Sequence, residues 1–259
     1  MLSYQHGYHA GNLADVHKHG LLAWMLGYLT RKDKPLSYLE THAGRALYDL
    51  SSDEALKTGE AAAGIRKVQG WFEPEHPYAR VLKQVADQNG AAAYPGSPLI
   101  AAKLLRRDDN IDLAELHPAE CDALRDAMLD YPATAHHQDG WQMAMSRCPP
   151  DPRRGMLLID PSFEVKADYA SIPKFMAQIH RKWPVGVLAL WYPILADNRH
   201  KPMTDALQQV IPEATLHEVH FPPAKSGHGM VGSGMFVVNP PYGFGEEAAW
   251  LSARFKELT

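Results

Sequence analysis

An acidic residue and a proline follow a short apolar segment in the middle of the chain. Met156 to Ile159 are four consecutive apolar residues, and Asp160-Pro161-Ser162-Phe163 come directly after them. Such a segment is typical of a strand buried on both faces of a parallel sheet. Because ligands of open α/β sheets bind just past the carboxyl ends of the strands, we expect this turn to lie in a ligand site.

The turn suits the alkylation of an exocyclic amino group on a planar base. The lone pair of such an amine is delocalised into the ring, which makes the nitrogen a poor nucleophile. The carboxylate of Asp160 and the rigidly directed carbonyl of Pro161 would accept its N–H bonds and leave a proton acceptor beside it. Phe163 would stack on a base turned out of its helix. The alternative is an ordinary Asp-Pro turn after a strand, which this segment alone does not exclude.

Residues at the ends of other predicted elements indicate a binding site for a nucleoside-like cofactor. His42-Ala43-Gly44, Glu115 and Asp139-Gly140 each lie at or just after the end of a predicted strand. We expect Glu115 to accept two ribose hydroxyls and Asp139 to accept the amino group of an adenine. Ser97 is interpreted as the N-cap of a helix whose free N–H groups would bind a carboxylate, such as that of a methionine moiety. The competing interpretation is an NAD-type dehydrogenase, which the single glycine of the first turn disfavours.

Strands and helices alternate along most of the chain. Predicted strands cover 36–40, 111–116, 134–138, 156–159, 185–191, 214–221 and 235–239, and predicted helices cover 13–30, 97–107, 118–130, 140–147, 168–182, 202–210 and 246–257. This alternation predicts an α/β fold with a mostly parallel, doubly wound sheet. Residues 48–92 show helical patterns interrupted by glycine and proline, and no strand. We therefore predict a sheet domain of residues 1–47 and 93–259 with a small helical subdomain, 48–92, inserted into it.

Composition limits the classes of protein and partner. The chain has 259 residues, 46% of them hydrophobic, a net charge of -4, and two cysteines, Cys121 and Cys148. These values predict a globular protein without a disulfide framework, which would contact nucleic acid only through a local basic patch. We expect no membrane span and no signal peptide, and hence a cytoplasmic location. The N-terminal histidines, His6, His9, His17 and His19, could form a metal site, but they lack cysteine and sufficient acidic neighbours, so we predict none.

Several motifs together resemble the bacterial RlmJ family, the 23S ribosomal RNA adenine-N6 methyltransferases. The opening Met-Leu-Ser-Tyr-x-His-x-x-His-Ala-Gly-Asn-x-Ala-Asp-Val-x-Lys-His carries most of the likeness. Further matching segments are 38–44, 94–100, 115–118, 139–140, 189–193 and 233–241. The resemblance implies a Rossmann-like class I methyltransferase fold, S-adenosylmethionine as methyl donor and 23S ribosomal RNA as substrate. Neither a membrane nor an obligate protein partner is implied, and we expect a monomer.

The resemblance also implies roles for individual residues. The cofactor contacts would be His19, His42, Ser97, Glu115, Asp139, Gly140 and Asp160. Asp160 would be the catalytic acceptor, with Pro161 and Phe163 beside it. The substrate contacts would be Tyr4, His6 and Lys18, and residues 1–11 would close over the base. Two alternatives stay open: a DNA adenine methyltransferase, and an RNA-binding protein that binds the cofactor without methyl transfer.

The chain departs from the family pattern at two places. Ser162 stands where the family has a second proline, and the loop after Gly44 reads Arg45-Ala46-Leu47-Tyr48, where the family tends to carry another glycine. We expect activity to survive both changes. A second candidate motif, Asn239-Pro240-Pro241-Tyr242, matches the amino-methyltransferase pattern better than residues 160–163. We reject it because the strand before it would run antiparallel, which places its carboxyl end at the edge opposite the cofactor.

Overall fold

A computed structural model of the protein describes residues 6–223 and 229–258, with residue 6 described by its backbone alone. Its strands are β1 Ser37–Glu40, β2 Leu47–Asp49, β3 Ala93–Pro95, β4 Asn110–Glu115, β5 Ala133–His137, β6 Gly155–Ile159, β7 Val187–Leu195, β8 Thr215–His220 and β9 Met230–Val238. Seven of them form one sheet in the order β5-β4-β1-β6-β7-β9-β8. Only β9 in this sheet runs antiparallel to its neighbours. The predicted mostly parallel α/β sheet is confirmed.

The helices lie on both faces of the sheet. They are α1 Leu13–Leu29, α2 Asp53–Thr58, α3 Glu60–Ala63, α4 Ile65–Val68, α5 Pro77–Asn89, α6 Ser97–Leu104, α7 Pro118–Ala127, α8 Gly140–Arg147, α9 Ala167–Lys182, α10 Lys201–Val210 and α11 Phe244–Lys256. One core contains residues of α1, α6 and α11, and the other contains residues of α8, α9 and α10. Met156 and Leu158 belong to the first core, whereas Leu157 and Ile159 belong to the second. Strand β6 is thus buried on both faces, as its unbroken apolar segment predicts.

The segment 48–92 contains one element that the sequence did not indicate. Strand β2 extends to Asp49 and pairs antiparallel with β3 in a separate ribbon of two strands. Helices α2 to α5 follow it, and the glycines interrupt the helical pattern as expected. Gly59 adopts a left-handed φ of 69° at the end of α2. A Cβ at Gly64 would lie 2.1 Å from the carbonyl oxygen of Gly11, so this position requires glycine for close packing against the start of α1.

The end of β9 lies away from the carboxyl ends of the parallel strands. The side-chain amide of Asn239 donates to the carbonyl oxygens of Pro184 and Gly186, each at 2.9 Å, just before β7 begins. Tyr242 is 85% exposed. The antiparallel direction of β9 therefore places Asn239-Pro240-Pro241-Tyr242 at the opposite edge, as predicted. Strands β7 and β9 are longer than the apolar pattern indicated. Their pairing continues to Leu195 at the end of β7 and to Met230 at the start of β9, through the glycine-containing part of β9.

Candidate active site

A cavity of about 530 Å³ opens at the carboxyl ends of β1, β4, β6 and β7. It brings together every described residue that the sequence indicated for the site: Lys18, His19, His42, Ser97, Glu115, Asp139, Gly140, Asp160, Pro161 and Phe163. Tyr4 and the side chain of His6 lie outside the described residues. The residues that the sequence indicated therefore line one cavity, which lies at the edge of the sheet where α/β proteins bind ligands.

Glu115, at the end of β4, is held in place by two backbone donors. Its Oε2 accepts the Gly44 N–H at 2.9 Å, and its Oε1 accepts the His117 N–H at 2.7 Å. A carboxylate oxygen accepts more than one hydrogen bond, so both oxygens remain able to take ribose hydroxyls. The backbone around Gly44, whose φ is 62°, closes the turn beside it.

Asp139 and Gly140 start α8 directly beside the end of β1. Asp139 caps this helix by accepting the Gln142 N–H at 2.9 Å. A Cβ at Gly140 would lie 1.8 Å from the carbonyl oxygen of Thr41, so the backbones touch at this point. The ring of Trp141 meets that of His42 edge to face at 5.1 Å. His42, Asp139, Gly140 and Trp141 thus line the cavity together, and the free oxygen of Asp139 could accept the amino group of an adenine.

The close contact at Gly140 predicts a large effect of Gly140→Ala. We expect the free energy of unfolding to fall by at least about 1–3 kcal/mol, because the added methyl group would meet backbone atoms. Affinity for S-adenosylhomocysteine, measured by calorimetry, should fall as well. Gly245→Ala is a matched control, since a Cβ there meets nothing within 4 Å. Equal melting temperatures for the two variants would contradict the proposed role of this contact.

Ser97 is the first residue of α6, and Gly96 is its N-cap, so the predicted capping role of Ser97 is wrong. The Ser97 hydroxyl instead donates to Oε1 of Glu40 at 2.5 Å, and the Tyr38 hydroxyl donates to Oε2 at 2.8 Å. Burial raises the pKa of Glu40 to about 8, although both hydrogen bonds act in the opposite direction. The hydroxyl of Ser97 is thus turned towards Glu40, while Gly96 and Ser97 line the cavity at the start of α6. This end of the cavity fits the polar groups of a methionine moiety.

Asp160 follows β6 and forms an ion pair with a buried lysine. Its Oδ2 lies 2.6 Å from Nζ of Lys18, which also lies 3.2 Å from Oδ1 of Asp15. Lys18 is only 4% exposed. Burial by itself would lower the pKa of Lys18, but the charges of Asp160 and Asp15 raise it above its usual value. Lys18 is therefore an ammonium that orients Asp160, and it is not a proton acceptor.

Phe163 forms an aromatic wall next to Asp160. Its backbone has a φ of 55°, a left-handed conformation that a bulky residue rarely adopts. The ring lies 4.8 Å from that of Tyr169 and 6.1 Å from that of Trp191. Nζ of Lys18 lies 5.4 Å from the centre of the Trp191 ring. Backbone strain of this kind clusters at functional sites, and here it turns Phe163 into the cavity wall.

The indole of Trp191 is held by a chain of buried hydrogen bonds. Trp191 Nε1–H donates to the Ser233 hydroxyl at 2.8 Å, and Ser233 lies 2.8 Å from Nδ1 of His17. His17 Nε2 lies 2.9 Å from Nδ1 of His217, whose Nε2 lies 2.7 Å from the Ser252 hydroxyl. An indole only donates, so one consistent direction runs from Trp191 through both rings to Ser252. Burial lowers the pKa of both histidines, which fits neutral rings in this chain.

Removing the hydroxyl of Ser233 should disturb the cavity wall. Ser233→Ala leaves the Trp191 N–H and Nδ1 of His17 unpaired, at an expected loss of about 1–3 kcal/mol for each buried group. We expect a lower melting temperature, a lower methyl-transfer rate at saturating substrate and a changed near-ultraviolet dichroism of the indole. Ser252→Ala, at the other end of the chain, should have a smaller effect on all three. Unchanged melting and rate in Ser233→Ala would contradict this network.

Three buried histidines predict that stability falls on acidification. Burial lowers the pKa of His17, His42 and His217, that of His42 from 6.5 to about 4. The unfolded chain then binds protons that the folded chain excludes, so the stabilisation is present above pH 6.5 and is lost as the pH falls towards 4. His9 and Glu40 act in the opposite direction, because the bond to Glu60 raises the pKa of His9 and burial raises that of Glu40 to about 8. Urea unfolding between pH 7.5 and pH 4.5 measures the net effect, and His42→Gln should make the dependence shallower.

The described N-terminal histidines bond to separate partners. His9 bonds to Glu60, His17 to Ser233, and His19 to Tyr94 at 2.9 Å. Within residues 6–223 and 229–258, no group of three or more His, Cys, Asp and Glu side chains could hold a metal ion. No helix in the same ranges is long and apolar enough to span a membrane.

The strand order with an antiparallel β9, together with the cavity at the carboxyl edge, is that of the class I methyltransferase fold. Residues 33–257 match the family described as "RsmJ: Ribosomal RNA large subunit methyltransferase D, RlmJ". The chain belongs to this family, as the sequence motifs indicated. Membership of this family makes the protein a methyltransferase, so the class of enzyme predicted from the sequence is confirmed.

Relatives cover nearly the whole chain. A protein of Escherichia coli strain K12 named "Ribosomal RNA large subunit methyltransferase J" is 39% identical over 249 residues, which cover 93% of this chain and 88% of the relative. A Haemophilus influenzae protein of the same name is 38% identical, with the same coverage. The crystal structure of a Legionella pneumophila protein assigned to the DUF519 family superposes with a TM-score of 0.86 at 35% identity, covering 96% of this chain and 94% of that one.

Proposed function

We propose that the protein transfers a methyl group from S-adenosylmethionine to N6 of one adenosine in 23S ribosomal RNA. The names of the family and of both bacterial relatives support large-subunit ribosomal RNA as the substrate. The observation that carries the N6 assignment is the Lys18–Asp160 pair, at 2.6 Å, beside the Pro161 carbonyl and the Phe163 ring. These groups match the two N–H bonds and the flat face of an adenine amine.

In this proposal the two ends of the cavity have separate tasks. His42, Ser97, Glu115, Asp139 and Gly140 bind the cofactor, which supplies an activated methyl group on its sulfonium. His19 lies beside them, with Nδ1 bonded to the Tyr94 hydroxyl at 2.9 Å. The protein's contribution is to hold the amine in line with that methyl group, and such positioning supplies most of the rate of a reaction between two bound groups.

Asp160 and Pro161 then act on the amine itself. Lys18 bonds to Oδ2 of Asp160, and we assign Oδ1 to one N–H of the amine, with the Pro161 carbonyl accepting the other. Accepting both bonds draws the nitrogen towards tetrahedral geometry and makes its lone pair available. When the new N–C bond forms, the nitrogen loses a proton, and Asp160 is the acceptor. Lys18 holds the carboxylate in this orientation before that step.

The proposal extends to the rest of the chain. Residues 1–11, including Tyr4 and His6, close over the flipped adenosine, and residues 48–92 form an inserted helical subdomain. The protein works as a monomer in the bacterial cytoplasm, where ribosomal RNA is made.

Methyl transfer to different nucleic acids tests the substrate. Protein-free 23S ribosomal RNA, 16S ribosomal RNA and a DNA copy of the target region are each incubated with labelled S-adenosylmethionine. The proposal predicts label in 23S ribosomal RNA and background in the other two. Stronger labelling of the DNA would favour a DNA adenine methyltransferase. Cofactor binding by calorimetry without label in any nucleic acid would favour an inactive RNA-binding protein.

A further inference from the structure

A second cavity lies beside the active site, where α9 and α10 begin. Its volume is about 520 Å³, and its lining includes Lys166, Tyr169, Pro173, Arg199, Pro202 and Met203. Tyr169 also lines the active-site cavity, so the two spaces share one aromatic wall. A nucleotide that follows an adenosine bound in the first cavity could reach the second across this shared wall.

The Tyr169 side chain has an unused polar group between the two cavities. Its ring packs at 4.8 Å against Phe163, the proposed partner of the adenine. Its hydroxyl is buried, and it has no hydrogen-bond partner within the part of the chain that the structure describes. Burial raises the pKa of Tyr169 to about 12, although the charge of Arg199 opposes the change. A neutral, buried donor without a protein partner is expected to bond to a ligand, because buried polar groups are rarely left unpaired.

The surroundings of Tyr169 suit a nucleotide. Pro173, Pro202 and Met203 form an apolar floor that could cover the face of a base. Lys166 is exposed at the rim, and Nε of Arg199 lies 2.8 Å from Oδ2 of Asp197, which fixes the direction of the guanidinium. Lys166 and Arg199 thus place two cations at the rim, beside the carboxylate of Asp197. An aromatic wall with a positive rim is the usual arrangement for binding single-stranded nucleic acid.

We propose that this groove binds the nucleotide next to the target adenosine. The base of that nucleotide lies between Tyr169 and the apolar floor, the Tyr169 hydroxyl donates to it or to its sugar, and its phosphate meets Lys166 and Arg199. The inference rests on the proposed function, since it assumes that an adenosine of an RNA chain occupies the neighbouring cavity. It assigns part of the affinity for RNA to a site that does not touch the reacting atoms.

Binding of short oligonucleotides tests the groove without requiring turnover. Calorimetry in the presence of S-adenosylhomocysteine compares adenosine 5′-monophosphate with an RNA trinucleotide that has a central adenosine. We expect the wild-type protein to bind the trinucleotide about tenfold more tightly than the mononucleotide, because stacking one base on an aromatic ring contributes an affinity gain of this size. Lys166→Ala should reduce this gain severalfold and leave the affinity for the mononucleotide unchanged. Lys174→Ala is the matched control. Lys174 is an exposed lysine of α9 that lies outside the groove, so this variant should preserve the gain.

Tyr169→Phe separates a ligand contact from a structural role. The variant keeps the ring and loses a hydroxyl that has no partner among the described residues, so its melting temperature should stay the same or rise. Its affinity for the trinucleotide should nevertheless fall. Equal affinity of the wild-type protein for the two ligands would overturn the proposal, and so would a gain that survives both Lys166→Ala and Tyr169→Phe. A gain lost in these variants, in a protein that labels no 23S ribosomal RNA, would keep the groove and refute the proposed function alone.

Discussion

Asp160→Asn is expected to lower the methyl-transfer rate at saturating cofactor and RNA by about 10²- to 10⁴-fold, the usual contribution of a positioned proton acceptor. The amide keeps the shape of the carboxylate. However, with its oxygen directed at Lys18, it presents an N–H₂ donor to an amine that needs an acceptor. The variant also has no group at this position to take the proton. Single-turnover kinetics measure the loss.

A second carboxylate in the cavity provides the control for this variant. Asp168 also lines the cavity but makes no ion pair with Lys18 among the described contacts. Asp168→Asn changes the net charge by the same amount and should slow methyl transfer far less. Circular dichroism and the melting temperature check that Asp160→Asn is folded. A folded Asp160→Asn protein with wild-type turnover would refute the assigned role of Asp160.

Lys18→Met should have the largest effect on stability. The substitution leaves the buried carboxylate of Asp15 and the partly buried carboxylate of Asp160 without their shared cation. Removing one partner of a buried ion pair costs about 3–5 kcal/mol. Without the ammonium, Asp160 loses the partner that orients its Oδ2, so methyl transfer should also slow. Urea unfolding and the single-turnover rate measure the two effects.

Two comparisons sharpen the test of Lys18. Lys83→Met removes an exposed lysine whose partner, Asp87, is also exposed, and its effect should stay within about 0.5 kcal/mol. The double variant Lys18→Met/Asp160→Asn should be less destabilised than the sum of the single variants, because each substitution removes the other's partner. Strict additivity of the two free energies would show that the pair does not act as a unit.

The sequence was sufficient for the positions of Glu115, Asp139 and Asp160. Glu115 and Asp160 end or follow strands with an apolar or alternating pattern, and Asp139 follows a short strand with a weak pattern. Parallel strands bring their carboxyl ends to one edge. The same rule rejected Asn239-Pro240-Pro241-Tyr242, because the last strand of the sheet runs antiparallel in the methyltransferase arrangement. Side chains at strand ends are therefore predictable wherever the sheet is parallel.

Contacts that depend on tertiary packing could not be predicted in this way. Ser97 was interpreted as an N-cap because serine is favoured at that position. Only the buried Glu40 explains why the Ser97 hydroxyl bonds to a carboxylate and does not cap the helix. Glu40 itself ends an apolar strand, a signal that was present in the sequence but that did not reveal its partners. The chain from Trp191 to His17 joins α1 to β7 and β9, and no local pattern marks it.

The most direct test of the account is the identity of the methylated nucleoside. Protein-free 23S ribosomal RNA labelled by the wild-type enzyme is digested to nucleosides, which are separated and identified by mass spectrometry. The account predicts label in N6-methyladenosine alone, since Asp160 and Pro161 are arranged to hold an exocyclic amine. Label on a ring carbon, a ring nitrogen or a ribose hydroxyl would contradict it, because none of these atoms presents two N–H bonds to that pair of acceptors.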